Sequence, residues 1–406
     1  MLSYEFLFDI ALILMSTKLL GLLTKRIQLP QVVGALLAGL LLGPACLNIL
    51  HETDFILQLA ELGVIVLMFT AGLETDIKEL KKTGKASMII AILGMIIPLI
   101  GGFALASLFN QGGISDAQAP IILQNIFIGI ILTATSVSIT VETLKELGKL
   151  STRAGNAILG AAIIDDILGV IALTVVTSIT NSDVSISLVL FKIVAFFIVG
   201  GLVGVLFSKV MEYNMKHYNM NLRRFVILSF VFCLLLSYCA EHFFGVADIT
   251  GAFIAGLVLS HTPRKHYIMN RFETTSYMLL SPIFFASIGI KVVVPEMTPT
   301  LITFSIALVV MAIVTKIFGC ALGAKLCRYT NNEAIQIGTG MVSRGEVALI
   351  VASKGAAFGL MGSAFFGPII IMVVVTTVIT PVLLKFVFSK KSDIAVTKPT
   401  LEKKIA

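Results

Sequence analysis

Two adjacent carboxylates, Asp165 and Asp166, stand in the middle of the apolar run NAILGAAIIDDILGVIAL (156–173). An ionisable side chain at mid-membrane costs about 2.5 to 3.5 kcal/mol on insertion scales, so each one requires a reason. Neighbouring positions on a helix point about 100° apart, which lets one carboxylate meet a partner on another helix while the other faces a water-filled cavity. A single carboxylate would serve for helix pairing alone at half the desolvation penalty. The pair therefore implies two roles. A carboxylate in a dehydrated cavity can take up either a proton or a hard cation, and loading one requires release of the other.

Lys316, inside VVMAIVTKIFGCALG (309–323), sits at a depth that matches the aspartates and is the natural counter-ion for one of them. Burial lowers the pKa of a lysine and a carboxylate raises it, so such a pair can either exchange a proton or act as a structural bridge. Two further apolar runs are interrupted by polar groups. Thr133 to Thr140 reads TATSVSIT, and Gly338 to Glu346 reads GTGMVSRGE. Breaks of this kind expose backbone N–H and C=O groups and helix-dipole charge at mid-membrane, although Ser and Thr are also tolerated in continuous spans. Arg344 and Glu346 are expected to offset the dipole ends or to pair with each other. Glu61 and Asp248 read as helix caps or anchors, and Lys18, Lys192 and Lys354 as snorkelling side chains. The five histidines fall in gaps or at run ends, where solvation is the expectation.

These groups must be positioned by membrane helices. Of 406 residues, 57% are hydrophobic and 13% charged, against about 25% charged in a soluble domain. Thirteen apolar stretches are each close to the span length of about 20 residues. They cover roughly 4–24, 30–50, 56–74, 86–109, 119–141, 152–180, 186–210, 222–241, 246–261, 272–291, 298–322, 332–359 and 363–388. The chain opens MLSYEFLFD without a basic leader, so the first stretch reads as a span and not a cleavable signal.

The net charge of +7 comes from basic residues concentrated in alternate gaps, such as Lys78, Lys81, Lys82 and Lys85, or Arg264, Lys265 and Arg271. The intervening gaps hold only Lys291 at their margin. This is the positive-inside pattern, with the N-terminus outside, the C-terminus in the cytoplasm and a short cytoplasmic tail at 389–406. It is not a nucleic-acid-binding face. Five cysteines with no CxxC spacing indicate neither disulfides nor a zinc site.

The chain also repeats itself. GALLAGLLL from Gly34 and GAFIAGLVL from Gly251 are 217 residues apart, and the same offset carries Gly72 onto Gly289. Small residues alone mean close helix packing. The shared offset joins stretches that cross the membrane in opposite directions, which predicts two inverted six-helix repeats linked by the seventh stretch. The polar breaks at 133–140 and 338–346 then occupy equivalent positions, as two crossed discontinuous helices. The fold class is an all-α polytopic membrane protein with thirteen transmembrane helices.

The set AELGVIVLMFTAGLE, TATSVSIT, DD followed by ILG, GAFIAGLVLS, TKIFG and SRGEVALI resembles the monovalent cation:proton antiporters, most closely the NapA-type sodium/proton exchangers, over residues 1 to about 388. The resemblance implies exchange of Na+ or Li+ for H+ by an elevator-type motion, with a role in pH homeostasis. It assigns the ion and the transported proton to Asp166, with Thr135 and Ser136 beside it, and pairs Asp165 with Lys316. It implies an electrogenic homodimer in a bacterial inner membrane. Its scaffold is 1–74 and 222–291, its ion-translocating core 86–180 and 298–388, and its connector 186–210. No cofactor is expected beyond the transported Na+ and H+, and the partners are the cation, the proton, the bilayer and a second copy, with no nucleic acid.

A potassium/proton antiporter or potassium efflux protein is the alternative. The DD pair departs from those relatives, and the nucleotide-binding domain they carry is not expected here. An intramembrane aspartyl protease needs carboxylates facing each other from two helices and a GxGD sequence, neither of which is present. A passive channel needs rings of polar groups along an open pore. The expectation is a transporter and not an enzyme.

Overall fold

The computed structural model describes residues 4–26, 29–75, 77–110, 117, 119–180, 186–217, 222–292 and 297–389. Among them every regular element is helical. The helices are α1 (Glu5–Arg26), α2 (Gln31–Leu42), α3 (Asp54–Glu74), α4 (Ile77–Phe109), α5 (Ile121–Ile131), α6 (Val137–Glu146), α7 (Arg153–Thr180) and α8 (Ile186–His217). They continue with α9 (Leu222–Cys239), α10 (Asp248–Leu259), α11 (Lys265–Thr275), α12 (Ser281–Ile290), α13 (Pro299–Leu326), α14 (Asn331–Gly340), α15 (Glu346–Ala357) and α16 (Phe366–Ser389).

Each apolar stretch carries helix, and among the described residues eight helical segments are long and apolar enough to cross a membrane by themselves. The stretch at 119–141 is divided into α5 and α6, and that at 332–359 into α14 and α15. The stretch at 272–291 begins inside α11 and reaches α12 through a π-helical turn at Ser276–Leu280, and a second such turn, Ala240–Phe244, extends α9. Wide turns of this kind are frequent where a helix is bent for function. Gly245, at φ 65°, ends the second one in a conformation that favours glycine.

Helix ends away from the apolar interior are closed by side chains. Thr53 accepts from the Ile56 N–H at the start of α3, and Thr330 with Glu333 forms a reciprocal capping box at α14. Pro98 and Pro381 lie within α4 and α16, a position tolerated in membrane helices when neighbours satisfy the freed carbonyls.

The helices pack as two groups. α4 lies against α5, α7 and α13, and α13 against α14 and α16. In the other group α1 and α12 flank α2, while α3 packs on α10 and α12. The glycines of the sequence repeat make the second group possible. A methyl group on Gly39 would strike the carbonyl of Ala286 in α12, and one on Gly256 would strike that of Phe69 in α3. Gly289 is pressed in the same way against Gly39 and Leu40, and Gly72 against Phe253 and Gly256. The α2–α12 contact is thus the image of the α10–α3 contact under the offset of 217 residues.

The two groups meet through α6. Glu146 accepts from the N–H groups of Gln31 and Val32 at 2.6 and 3.1 Å, closing the start of α2. Lys145 pairs with Glu273 of α11 at 3.0 Å and lies 3.9 Å from Glu74 of α3. These contacts lie at the end of the bundle where Lys25 approaches Glu146 and Lys265 approaches Glu74, called here the basic end. The Lys18 ammonium lies over the exposed Tyr277 ring, 3.3 Å from the centroid.

Candidate functional site

α5 stops at Ile131 because the next residues offer their own hydroxyls in place of a continued helix. Thr133 Oγ1 donates back to the Ile130 carbonyl at 2.7 Å, and Ser136 opens α6 with extended dihedrals, φ −90° and ψ 106°. Met341 to Gly345 forms the matching break between α14 and α15. The two breaks cross and bond to each other. The Ser136 N–H donates to the Ser343 carbonyl at 2.8 Å, and the Ser343 hydroxyl donates to the Ser136 carbonyl at 2.7 Å. Thr140 Oγ1 donates to the Gly340 carbonyl at 2.7 Å and lies 2.8 Å from the Ser343 hydroxyl. Gly345 is required here, since a Cβ would overlap the Ser136 side chain.

Two buried cations close the free carbonyls. Arg344, 0% exposed, donates from Nη1 to the Val342 and Met341 carbonyls at 2.8 and 3.2 Å, and from Nη2 to the Leu132 carbonyl at 2.8 Å. One guanidinium therefore faces the carbonyl ends of both α5 and α14, where the helix dipoles are negative. Thr377 of α16 donates its hydroxyl to the Arg344 carbonyl and fixes that peptide. Lys316, also 0% exposed, donates to the Thr133 carbonyl at 2.7 Å.

Lys316 also reaches both oxygens of Asp165, at 3.1 and 2.9 Å. Thr135 Oγ1 donates to Asp165 Oδ2 at 2.7 Å. Asp165 is 4% exposed, so this is a desolvated ion pair with added hydrogen bonds, the arrangement in which removing one partner costs about 3 to 5 kcal/mol. Ser136 stands one residue from Thr135 with its hydroxyl 3.2 Å from that of Ser138.

Asp166 faces elsewhere. It is half-buried and lines a small cleft with Ile167 and Val170 of α7, Ile193 of α8, the turn Gly245–Ala247 and Thr250 of α10. The two adjacent carboxylates thus occupy separate environments, one ion-paired and one at a cleft between the two helix groups.

The structure brings together Asp165, Thr135, Lys316 and Arg344 around the crossing, with Ser136 in the crossing itself and Asp166 one residue along α7. Arg344 caps carbonyls of both breaks, and the expected alternative, pairing with Glu346, falls outside the described side chains. The side chains of Glu346 and Lys354, and residues 390–406, lie outside the described residues. Thr377 and Thr250 were not singled out by sequence. The doublet Thr376–Thr377 in an otherwise apolar stretch was the available signal for the first.

Residues 11–390 match the family model described as sodium/hydrogen exchanger, transmembrane. Among curated proteins, the Na(+)/H(+)-K(+) antiporter GerN of Bacillus cereus is 39% identical over 96% of this chain and 98% of its own length. The probable Na(+)/H(+) antiporter GerT of the same organism is 41% identical over 94% and 99%, and an Na(+)/H(+) antiporter of Enterococcus hirae 37% over 95% and 99%. Among solved structures, the sodium proton antiporter MjNhaP1 of Methanocaldococcus jannaschii at pH 8 aligns with a TM-score of 0.67 over 94% of this chain and 98% of that one. Sequence identity there is 17%, so that likeness speaks for the fold.

Proposed function

Because the chain belongs to the sodium/hydrogen exchanger family, an integral membrane family of antiporters, we propose that it exchanges Na+ or Li+ for H+ with both ions competing at Asp166. The observation that carries this reading is the division of labour within the DD pair. Asp165 is held by Lys316 and Thr135, whereas Asp166 lines a cleft between the helix groups, where a proton or a cation can reach it in turn. A bare carboxylate is costly to carry across an apolar barrier and a loaded one is not, so coupling needs no further device.

In this reading α4–α7 and α13–α16 form the moving core, α1–α3 and α9–α12 the dimer-forming scaffold, and α8 the connector. The exchanged contacts of Gly39, Gly72, Gly256 and Gly289 support an inverted repeat. The crossing of the two breaks supports a core that travels as one body. The basic end is cytoplasmic by the positive-inside rule. Lys145 and Glu146 line a cavity at that end with Glu142, Glu273 and Tyr277, while the Asp166 cleft is lined by the turn before α10 at the other.

GerN carries potassium in its printed name, so K+ belongs in the test as a second cation. Purified protein in proteoliposomes, with an interior pH dye and added Na+, Li+ or K+, tests the proposal. Cation-driven proton efflux against a gradient supports exchange, and its absence for all three cations refutes it. Repeating the measurement with the membrane potential clamped reads electrogenicity.

A further inference from the structure

Only two of the side chains that line the Asp166 cleft are polar: Asp166 itself on α7 and Thr250 on α10. The others are Ile167, Val170, Ile193, Val246, Ala247 and glycine. Thr250 is 2% exposed. Buried threonines elsewhere return the hydroxyl proton to a carbonyl of the preceding turn, as Thr70 does to Leu67 at 2.8 Å, Thr174 to Val170 at 2.7 Å and Thr376 to Met372 at 2.8 Å. Among the described residues the Thr250 hydroxyl makes no such bond, and it lines the cleft instead. A hydroxyl that opens on an otherwise aliphatic cleft and returns no bond to its own helix can complete its hydrogen bonding with a water or an ion there.

The size of the cleft says what fits. Its free volume of about 10 Å³ is close to what one water requires. A hydrated cation is excluded, and a dehydrated monovalent cation or a single water is not. A hard cation stripped of its water replaces the lost ligands with oxygens, and beside Asp166 the one scaffold side chain that can supply an oxygen is Thr250.

We infer that Thr250 is a scaffold-borne oxygen ligand for the transported monovalent cation, engaged while Asp166 faces this cleft and left behind when the core moves. The inference rests on the exchange reading above. Its distinguishing consequence is sidedness. A ligand carried on the core serves the ion from both faces of the membrane, whereas one on the scaffold serves it from one face.

The test measures Na+-driven proton movement in right-side-out and everted membrane vesicles, with NaCl as the probe, for the wild type, Thr250→Val and Thr250→Ser. Valine matches threonine in shape and removes the oxygen. The expected result for Thr250→Val is a rise of about fivefold in half-saturating Na+ from the outer face, the factor that one ordinary hydrogen-bonding contact supplies. The cytoplasmic value should stay as in the wild type, and Thr250→Ser should restore the outer-face value. A shift shared by both faces, a shift confined to the cytoplasmic face, or no shift overturns the inference while exchange itself stands. A wild type without Na+-driven proton movement from either face removes the exchange reading and this inference with it.

Discussion

Lys316 and Asp165, 151 residues apart in sequence, are joined by hydrogen bonds of 3.1 and 2.9 Å in a setting where neither side chain is more than 2% exposed. The same ammonium also holds the Thr133 carbonyl. Lys316→Gln separates two roles. If the lysine releases a proton when Asp165 turns to the ion, the variant should exchange at a reduced rate that no longer responds to membrane potential, since one transported charge has gone. If the pair is a structural bridge, the variant should lose about 3 kcal/mol of stability and its remaining activity should stay sensitive to potential. Exchange rates at two clamped potentials, with a thermal unfolding scan, decide between them.

Asp166→Asn should abolish cation-driven proton movement while leaving the protein folded, because the amide keeps the shape and loses the titration. In the wild type, competition at one carboxylate predicts that half-saturating Na+ climbs by about tenfold per pH unit on the acid side of its titration, with the maximal rate unchanged. A flat dependence of the apparent affinity on pH would place the two ions at different groups.

Arg344 serves carbonyls from both broken helices with one guanidinium. Arg344→Gln should destabilise the detergent-solubilised protein by about 3 kcal/mol or more, read as a lower unfolding midpoint, because several buried carbonyls lose their donor together. Arg344→Lys keeps the charge but not the fork that spans both chains, and should fall between the two. Equal stability of all three proteins would remove the capping role.

The proposed orientation has a direct chemical test. A cysteine introduced at Asp183 should react with an impermeant maleimide in intact cells, and one at Lys216 only after permeabilisation. Reaction of both from the same side would mean that the number of spans between them is wrong.

Much of this architecture is written in local chemistry. The apolar stretches announce themselves by length, and the breaks at Thr133–Thr140 and Gly338–Glu346 show as hydroxyls, glycines and charges where a membrane helix wants none. The DD pair and Lys316 stand out because each charge inside an apolar run needs a partner. What one sequence could not supply was which helix faces which. Lys316 meets Asp165 because α4 packs against both α13 and α7, and no periodicity encodes that choice. Thr250 escaped attention because a threonine near a helix start reads as part of a cap. The π-helical turns at Ala240–Phe244 and Ser276–Leu280 have no local signature in an apolar sequence.

The bonds between Ser136 and Ser343 span 207 residues of chain, and this sets an order for biogenesis. The segment bearing Asp165 enters the membrane well before the one that carries Lys316 has been synthesised. During that interval a carboxylate destined for a dry ion pair has no counter-ion from its own chain. The crossing cannot close around it until the last helices arrive. Contacts of such sequence separation form slowly and leave partly assembled intermediates exposed. Membrane quality control would therefore meet this protein chiefly as a half-inserted chain whose ion site is still missing its second half.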